Sequence, residues 1–162
     1  MGKKPQAGGR QRLSVVVPVY NEEENVAPLV ASVHEALADY AHGWELIIVD
    51  DGSSDGTWGA LEKASASYGE HVRIIELNRN FGQTAALQSG LDQTRGDLVA
   101  TMDGDLQNDP RDIPVLIEEL LNRELDMVSG WRKDRKDKTV TRKIPSYLAN
   151  RLIGRVTGIN MR

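Results

Sequence analysis

The stretch Leu98-Val99-Ala100-Thr101-Met102-Asp103-Gly104-Asp105-Leu106-Gln107 is the key to the chain. It begins as an apolar run and ends in two carboxylates and an amide. The apolar part, with Val99 inside it, fits a strand buried on both faces. Asp103 and Asp105 follow just past its C-terminal end. In extended chain, residues i and i+2 point the same way, so the two carboxylates can converge. Gly104 between them lacks a Cβ, which lets the backbone turn or a ligand come close. Gln107 adds a neutral oxygen. Such a donor set suits a hard divalent cation, Mg²⁺ or Mn²⁺, completed by substrate phosphates and water. The plainer reading is an acidic turn after a strand, with Asp109 or Asp112 capping the next helix.

Outward from this stretch, strands and helices alternate. Residues 13–17 read as a buried strand that Pro18 stops, because proline cannot donate to a sheet ladder. Asn21 is suited to cap a helix, with Glu22, Glu23 and Glu24 at its positive end. Val26, Leu29, Val30, Val33 and Leu37 give that helix one apolar face. Leu46-Ile47-Ile48-Val49 is a second strand, running into Asp50-Asp51-Gly52-Ser53-Ser54-Asp55-Gly56-Thr57, where Ser54 or Asp55 can cap the next helix. Residues 72–77 form a third strand and 84–94 a helix. Beyond the central strand, Ile113, Leu116, Ile117, Leu120 and Leu121 make a helical stripe, with Pro114 in the first turn. Residues 126–130 read as a fifth strand ending at Trp131-Arg132.

This order predicts an α/β fold: a mostly parallel sheet with helices on both faces. Ligands bind such sheets at the carboxyl ends of the strands. Asn21/Glu22, Asp50/Asp51, Arg79/Asn80, Asp103/Asp105 and Arg132 all fall at those ends, which marks that edge as a site.

Composition narrows the chemistry. The 162 residues suit one domain, and 40% apolar with 27% charged is globular. With no cysteine, disulfides, thiol catalysis and Cys-based zinc sites are excluded, and His34, His42 and His71 show no ligand spacing. No run approaches the ~20 apolar residues of a membrane span. Residues 1–12 read as a flexible arm without the apolar core of a signal peptide, so a cytoplasmic location is the default expectation. Residues 132–162 hold ten Lys and Arg against Asp134 and Asp137, a net +8; with −4 for the whole chain, the first 131 residues carry −12. Such a tail points to an anionic partner. Ile144, Leu148, Leu152, Ile153 and Val156 give it an amphipathic helix, suited equally to an anionic membrane surface, to packing on the domain or to pairing with a second copy. Nucleic acid is disfavoured because Tyr147 is the only aromatic residue beyond Trp131.

Val15-Val16-Val17-Pro18-Val19-Tyr20-Asn21-Glu22-Glu23, Ile48-Val49-Asp50-Asp51-Gly52-Ser53-Ser54-Asp55-Gly56-Thr57 and Asp103-Gly104-Asp105-Leu106-Gln107, in this order and spacing, resemble the family 2 glycosyltransferases with the GT-A (Rossmann-like) fold. Asn80-Phe81-Gly82-Gln83-Thr84-Ala85-Ala86 is most similar to the dolichol- or polyprenyl-phosphate sugar synthase branch. The resemblance covers about residues 13–158 and divides the chain into the arm, a nucleotide-sugar domain (13–131) and the start of an acceptor- or membrane-facing region (132–162). It implies an inverting, metal-dependent transfer of a sugar from a UDP- or GDP-sugar to a polyprenyl or dolichyl phosphate, at the cytoplasmic face of a membrane in the full-length protein. By the same resemblance, Pro18, Tyr20, Glu22, Asp50, Asp51, Gly82 and Gln83 would bind the donor. Asp103, Asp105 and Gln107 would hold Mg²⁺ or Mn²⁺ against its diphosphate. Arg132 and Arg142 would grip phosphates, with Lys143 beside them. Asp105, Arg132 and Arg142 form the catalytic set.

The chemistry is consistent with that set. A divalent ion stabilises the charge on a departing diphosphate. A lipid phosphate, with a second pKa near ~6, attacks without a base. A sugar hydroxyl acceptor would need a carboxylate base, and the glutamine–x–x–arginine–tryptophan motif that follows one in such relatives does not occur here. Transfer to a saccharide hydroxyl stays as one alternative, and a non-catalytic nucleotide- or partner-binding domain as another. A receiver-like signalling domain is disfavoured, since the third strand ends in Leu77-Asn78-Arg79 rather than a phosphorylatable aspartate. The serine–glycine–phenylalanine–arginine segment and the membrane helices of the synthase branch do not follow, so the expectation is a catalytic domain truncated before them.

Overall fold

The computed structural model describes residues 11–130. Strands β1 (Leu13–Val19), β2 (Trp44–Asp50), β3 (Val72–Glu76) and β4 (Leu98–Thr101) alternate with helices α1 (Glu23–Ala36), α2 (Thr57–Tyr68), α3 (Gln83–Leu91) and α4 (Asp112–Asn122). The strands form one parallel sheet in the order β3-β2-β1-β4.

Alternation along the strands sorts the core into two layers. Val15, Val17, Val19, Leu46 and Ile48 meet the apolar face of α1, Leu61 of α2 and Ile113 of α4. Val16, Ile47 and Val49 point the other way, onto Ala86, Leu87 and Leu91 of α3. Helices therefore cover both faces, as the α/β expectation requires. The α1 stripe is as expected, with Val26, Leu29, Val30, Val33 and Leu37 all fully buried.

Several local expectations are corrected. β1 does not stop at Pro18 but continues to Val19, with Pro18 opposite Val49. The Val16 carbonyl accepts from Met102 N on the β4 side, and two residues on Pro18 faces the same side. The β4 pairing has already ended there, at Val16 opposite Thr101, so the missing N–H forfeits no ladder bond. Val99 is 46% exposed rather than buried on both faces, because β4 pairs only with β1 and is an edge strand among the described residues. Residues 126–130 form no strand: a turn closes α4, with Leu125 N bonding to Leu120 O, and the chain beyond joins no ladder, leaving Met127 82% exposed. Apolar alternation supplied the capacity for a strand, but pairing needs a partner. Asn21 does not cap α1, whose N-cap is Glu22. The arm 1–10 and everything from Trp131 onward, including Arg132, Arg142, Lys143 and the expected basic helix, lie outside the described residues. No helix among the described residues is long and apolar enough to cross a membrane.

At the opposite end of the sheet from the clustered loops lies a buried polar network absent from the sequence reading. Glu45, fully buried, accepts from Ser14 Oγ (2.7 Å), Arg95 N (2.8 Å) and Arg73 Nη1 (3.0 Å). Ser14 Oγ also accepts Gly96 N at 2.9 Å, so the network pins the turn that launches β4. Burial opposes the charge on Glu45, but the hydrogen bonds from Ser14, the Arg95 backbone and Arg73 outweigh it and hold the carboxyl below its usual range.

Candidate functional site

The four parallel strands end at one edge, where their loops border a cleft of about 350 Å³. The end of β1 and the turn after it contribute Pro18, Val19, Tyr20 and Glu22; the loop after β2 contributes Asp51; the β3–α3 loop and the start of α3 contribute Asn80, Gly82 and Gln83; the loop after β4 contributes Asp103, Gly104 and Asp105.

Each loop is held by a neighbour. Asn21 takes a left-handed conformation (φ 53°), and its Oδ1 accepts Ser54 N at 2.9 Å while its own N–H donates to Ser53 Oγ at 2.8 Å. Glu22 N donates to Thr57 Oγ1 at 2.8 Å, and the Glu22 carboxylate pairs with the Asn25 side chain. The bonds to Ser53, Ser54 and Thr57 join positions 32 to 35 residues apart, so the turn before α1 is a clasp between two loops. Asp55 accepts both the hydroxyl and the amide of Thr57 at the start of α2, and these bonds, the hydroxyl first, lower its pKa. Asp51 is buried; Phe81 N donates to its Oδ1 at 2.8 Å and Gly82 N to its Oδ2 at 2.9 Å. Gln83 Nε2 donates to Asp103 Oδ1 at 2.8 Å, and Gln107 N donates to Asp105 Oδ1 at 3.0 Å. Gly104 lies against β1 so closely that a Cβ there would sit 2.6 Å from Val19 Cγ1.

Of the residues singled out from sequence, Pro18, Tyr20, Glu22, Asp51, Gly82, Gln83, Asp103 and Asp105 line this cleft. Asp50 does not: it is 1% exposed and bonds through Oδ1 to Ser53 N (3.0 Å) and Ser53 Oγ (2.5 Å), while its Oδ2 is buried without a partner among the described residues. Gln107 is exposed and outside the lining. Asn80 and Val19 line the cleft as well: Asn80 follows the rule that strand ends carry the site, whereas Val19 has no polar signal in the sequence. Nor did the loop-to-loop bonds of Asp51 and Gln83 have any signature in sequence spacing.

The cleft is anionic. Glu22, Asp51, Asp103 and Asp105 line it, and no lysine or arginine does so among the described residues. Arg79 is nearby in sequence, but its guanidinium stacks on the exposed Phe81 ring at 4.7 Å. Asp103 and Asp105 present hard oxygens, and no group of three His, Cys, Asp or Glu among the described residues makes a protein-only cage. That donor set fits a divalent cation that takes its other ligands from water and phosphate, the ordinary situation of Mg²⁺.

Known proteins place this arrangement. Residues 14–161 match Glycosyl transferase family 2. The chain is 58% identical over 149 residues to the dodecaprenyl-phosphate galacturonate synthase of Rhizobium johnstonii, covering 92% of this chain and 44% of that protein. It is 43% identical to the undecaprenyl-phosphate 4-deoxy-4-formamido-L-arabinose transferase of Pseudomonas fluorescens, with 92% and 43% covered. This chain thus spans less than half the length of these relatives. Among solved structures, a mannosyltransferase of Pyrobaculum calidifontis in complex with GDP-Man and Mn²⁺ aligns with a TM-score of 0.56 at 26% identity, over 72% of this chain and 34% of that one. TarS of S. aureus in complex with UDP aligns with a TM-score of 0.53 at 28% identity, over 67% and 32%. The match to the family runs through nearly all of the sequence, from β1 past the end of α4, and the chain belongs to glycosyl transferase family 2.

Proposed function

We propose that the protein is a metal-dependent glycosyltransferase that moves a sugar, with inversion, from a nucleoside diphosphate donor to a polyprenyl phosphate. The observation that carries this reading is the charge of the cleft: four carboxylates and no cationic side chain among the described lining residues. A diphosphate would be repelled from such a surface unless a divalent ion stood between them. Asp103 and Asp105 are the groups to hold that ion. When bound, it neutralises the departing diphosphate in the transition state. Pro18, Tyr20 and Asn80 line the same cleft and give the nucleoside an apolar wall, an aromatic ring and an amide. Tyr20 is 44% exposed, so its ring is open to stacking.

The acceptor class is supported by the relatives, whose names specify dodecaprenyl and undecaprenyl phosphate. The 58% identical relative is a galacturonate synthase, which makes a hexuronate the first sugar to try. A lipid phosphate needs no carboxylate base but does need cations to bring it beside the donor. Arg132 and Arg142, in a segment of net +8, are assigned that task, and the same charge suits an anionic membrane surface.

Calorimetric titration with UDP and GDP, each with and without Mn²⁺, tests the donor site. Micromolar binding of one nucleotide that EDTA abolishes is the expected result; binding indifferent to Mn²⁺ overturns the metal assignment. Failure of the chain to sediment with vesicles containing anionic lipid at low salt would remove the membrane-surface reading.

A further inference from the structure

Asp51 and Gln83 both line the cleft, and each is hydrogen-bonded to a neighbouring loop: Asp51 to the backbone before α3, Gln83 to Asp103. Both carboxylate oxygens of Asp51 are taken by the backbone N–H groups of Phe81 and Gly82. That clamp sets the entry to α3, whose first residue is Gln83. The side-chain amide of Gln83 then donates to Asp103 Oδ1 at 2.8 Å. Two contacts thus run from the loop after β2 to the first carboxylate after β4.

The terminal torsion of an aspartate is broad, so a carboxylate beside a loop glycine is poorly oriented unless one oxygen is held. Metal-ligating carboxylates are held in this way by hydrogen bonds from groups that do not themselves ligate. We propose that Gln83 is a positioning residue for Asp103. Its Nε2 holds Oδ1 and so fixes the plane in which the carboxylate presents its oxygens. Asp51 supports it by fixing the backbone from which Gln83 projects. Gln83 therefore acts through the metal ligand instead of contacting the sugar nucleotide. This inference rests on the metal-dependent donor site proposed above.

The test uses the 162-residue chain and Gln83→Met, which keeps length and helix propensity but has no donor. The probe is Mn²⁺ titrated calorimetrically in the presence of whichever of UDP or GDP the wild type binds. The expected result is an Mn²⁺ dissociation constant raised about tenfold, the lower end of the range for losing such a partner. The metal-free melting temperature should stay unchanged. In an Asp103→Asn background the same substitution should add nothing. A merely structural role would lower the melting temperature and act equally in both backgrounds, and that result overturns the proposal. So does an unchanged Mn²⁺ affinity. Metal-free ¹⁵N NMR adds an independent reading: the Gln83 side-chain amide resonances should move on Asp103→Ala, which removes the acceptor, and their failure to move shows that the contact is not formed. If the wild type binds neither nucleotide with Mn²⁺, the donor reading itself fails, which is distinct from a wild type that binds and a Gln83→Met variant that matches it.

Discussion

Gly104→Ala is a one-methyl change that should uncouple the carboxylate pair from the fold. The added Cβ would lie 2.6 Å from Val19 Cγ1 and 3.3 Å from the Pro18 carbonyl oxygen. Carbon atoms rest at roughly 3.5–4.0 Å, so one side must move by about 1 Å. Val19 is poorly able to do so: it is 3% exposed, β-branched and fixed in register opposite Asp50. The loop of residues 103–105, past the edge strand, moves instead. Overpacking of this kind costs about 1–3 kcal/mol. The functional cost is of similar size, because disturbing what orients a metal ligand costs about 10–100-fold in metal affinity. Urea denaturation should therefore show a modest loss of stability with the chain still folded, while Mn²⁺-dependent nucleotide binding weakens about 10–100-fold. Wild-type affinity in a variant destabilised by the expected amount would refute the reasoning, since it would mean that the carboxylates do not depend on the seat of Gly104.

Three further outcomes follow from the geometry. Asp105→Asn removes an anionic oxygen from the pair and should abolish Mn²⁺-dependent nucleotide binding while the chain still melts cooperatively; an intact Mn²⁺ effect would contradict it. Because Glu45 titrates below its usual value of 4.5 in the folded chain, the unfolded chain takes up the proton first, so the stability it contributes is present above that pH and is lost as pH falls through its folded pKa. Glu45→Gln should lower the melting temperature at pH 7 and flatten the acid limb, and an unchanged acid limb counts against it. His71 packs against the rings of His34 and Trp44, with its Nε2 buried and unpartnered among the described residues; burial first, and His34 second, depress its pKa from 6.5. The unfolded chain again binds the proton first, so stability should decline as pH falls below about 6.5, and His71→Phe should reduce the difference between melts at pH 7.5 and 5.5.

The sequence alone carried the alternation of elements, the core face of α1 and the identity of the edge that bears the site, with Glu22, Asp51, Asn80, Asp103 and Asp105 of its lining, while Pro18, Tyr20, Gly82 and Gln83 followed only from the family resemblance. These are local or periodic properties: apolar spacing, turn residues and the rule that parallel strands end together. It also carried the chemistry of Asp103 and Asp105, since two carboxylates around a glycine are legible without coordinates. Tertiary structure alone decided the rest. Pro18 stays in β1 because β4 stops short of it, and Val99 is exposed because β4 is an edge among the described residues. Asp50 and Asp51 are neighbours in sequence, yet one bonds Ser53 and the other clamps the loop before α3, because consecutive residues leave a strand on opposite sides. Glu45 and Arg73, 28 residues apart, and Gln83 and Asp103, 20 apart, become partners only once the sheet brings separate loops and strands together. Spacing along a chain encodes which face a side chain takes within its own element; which distant group it meets there is set by the packing of one element on another.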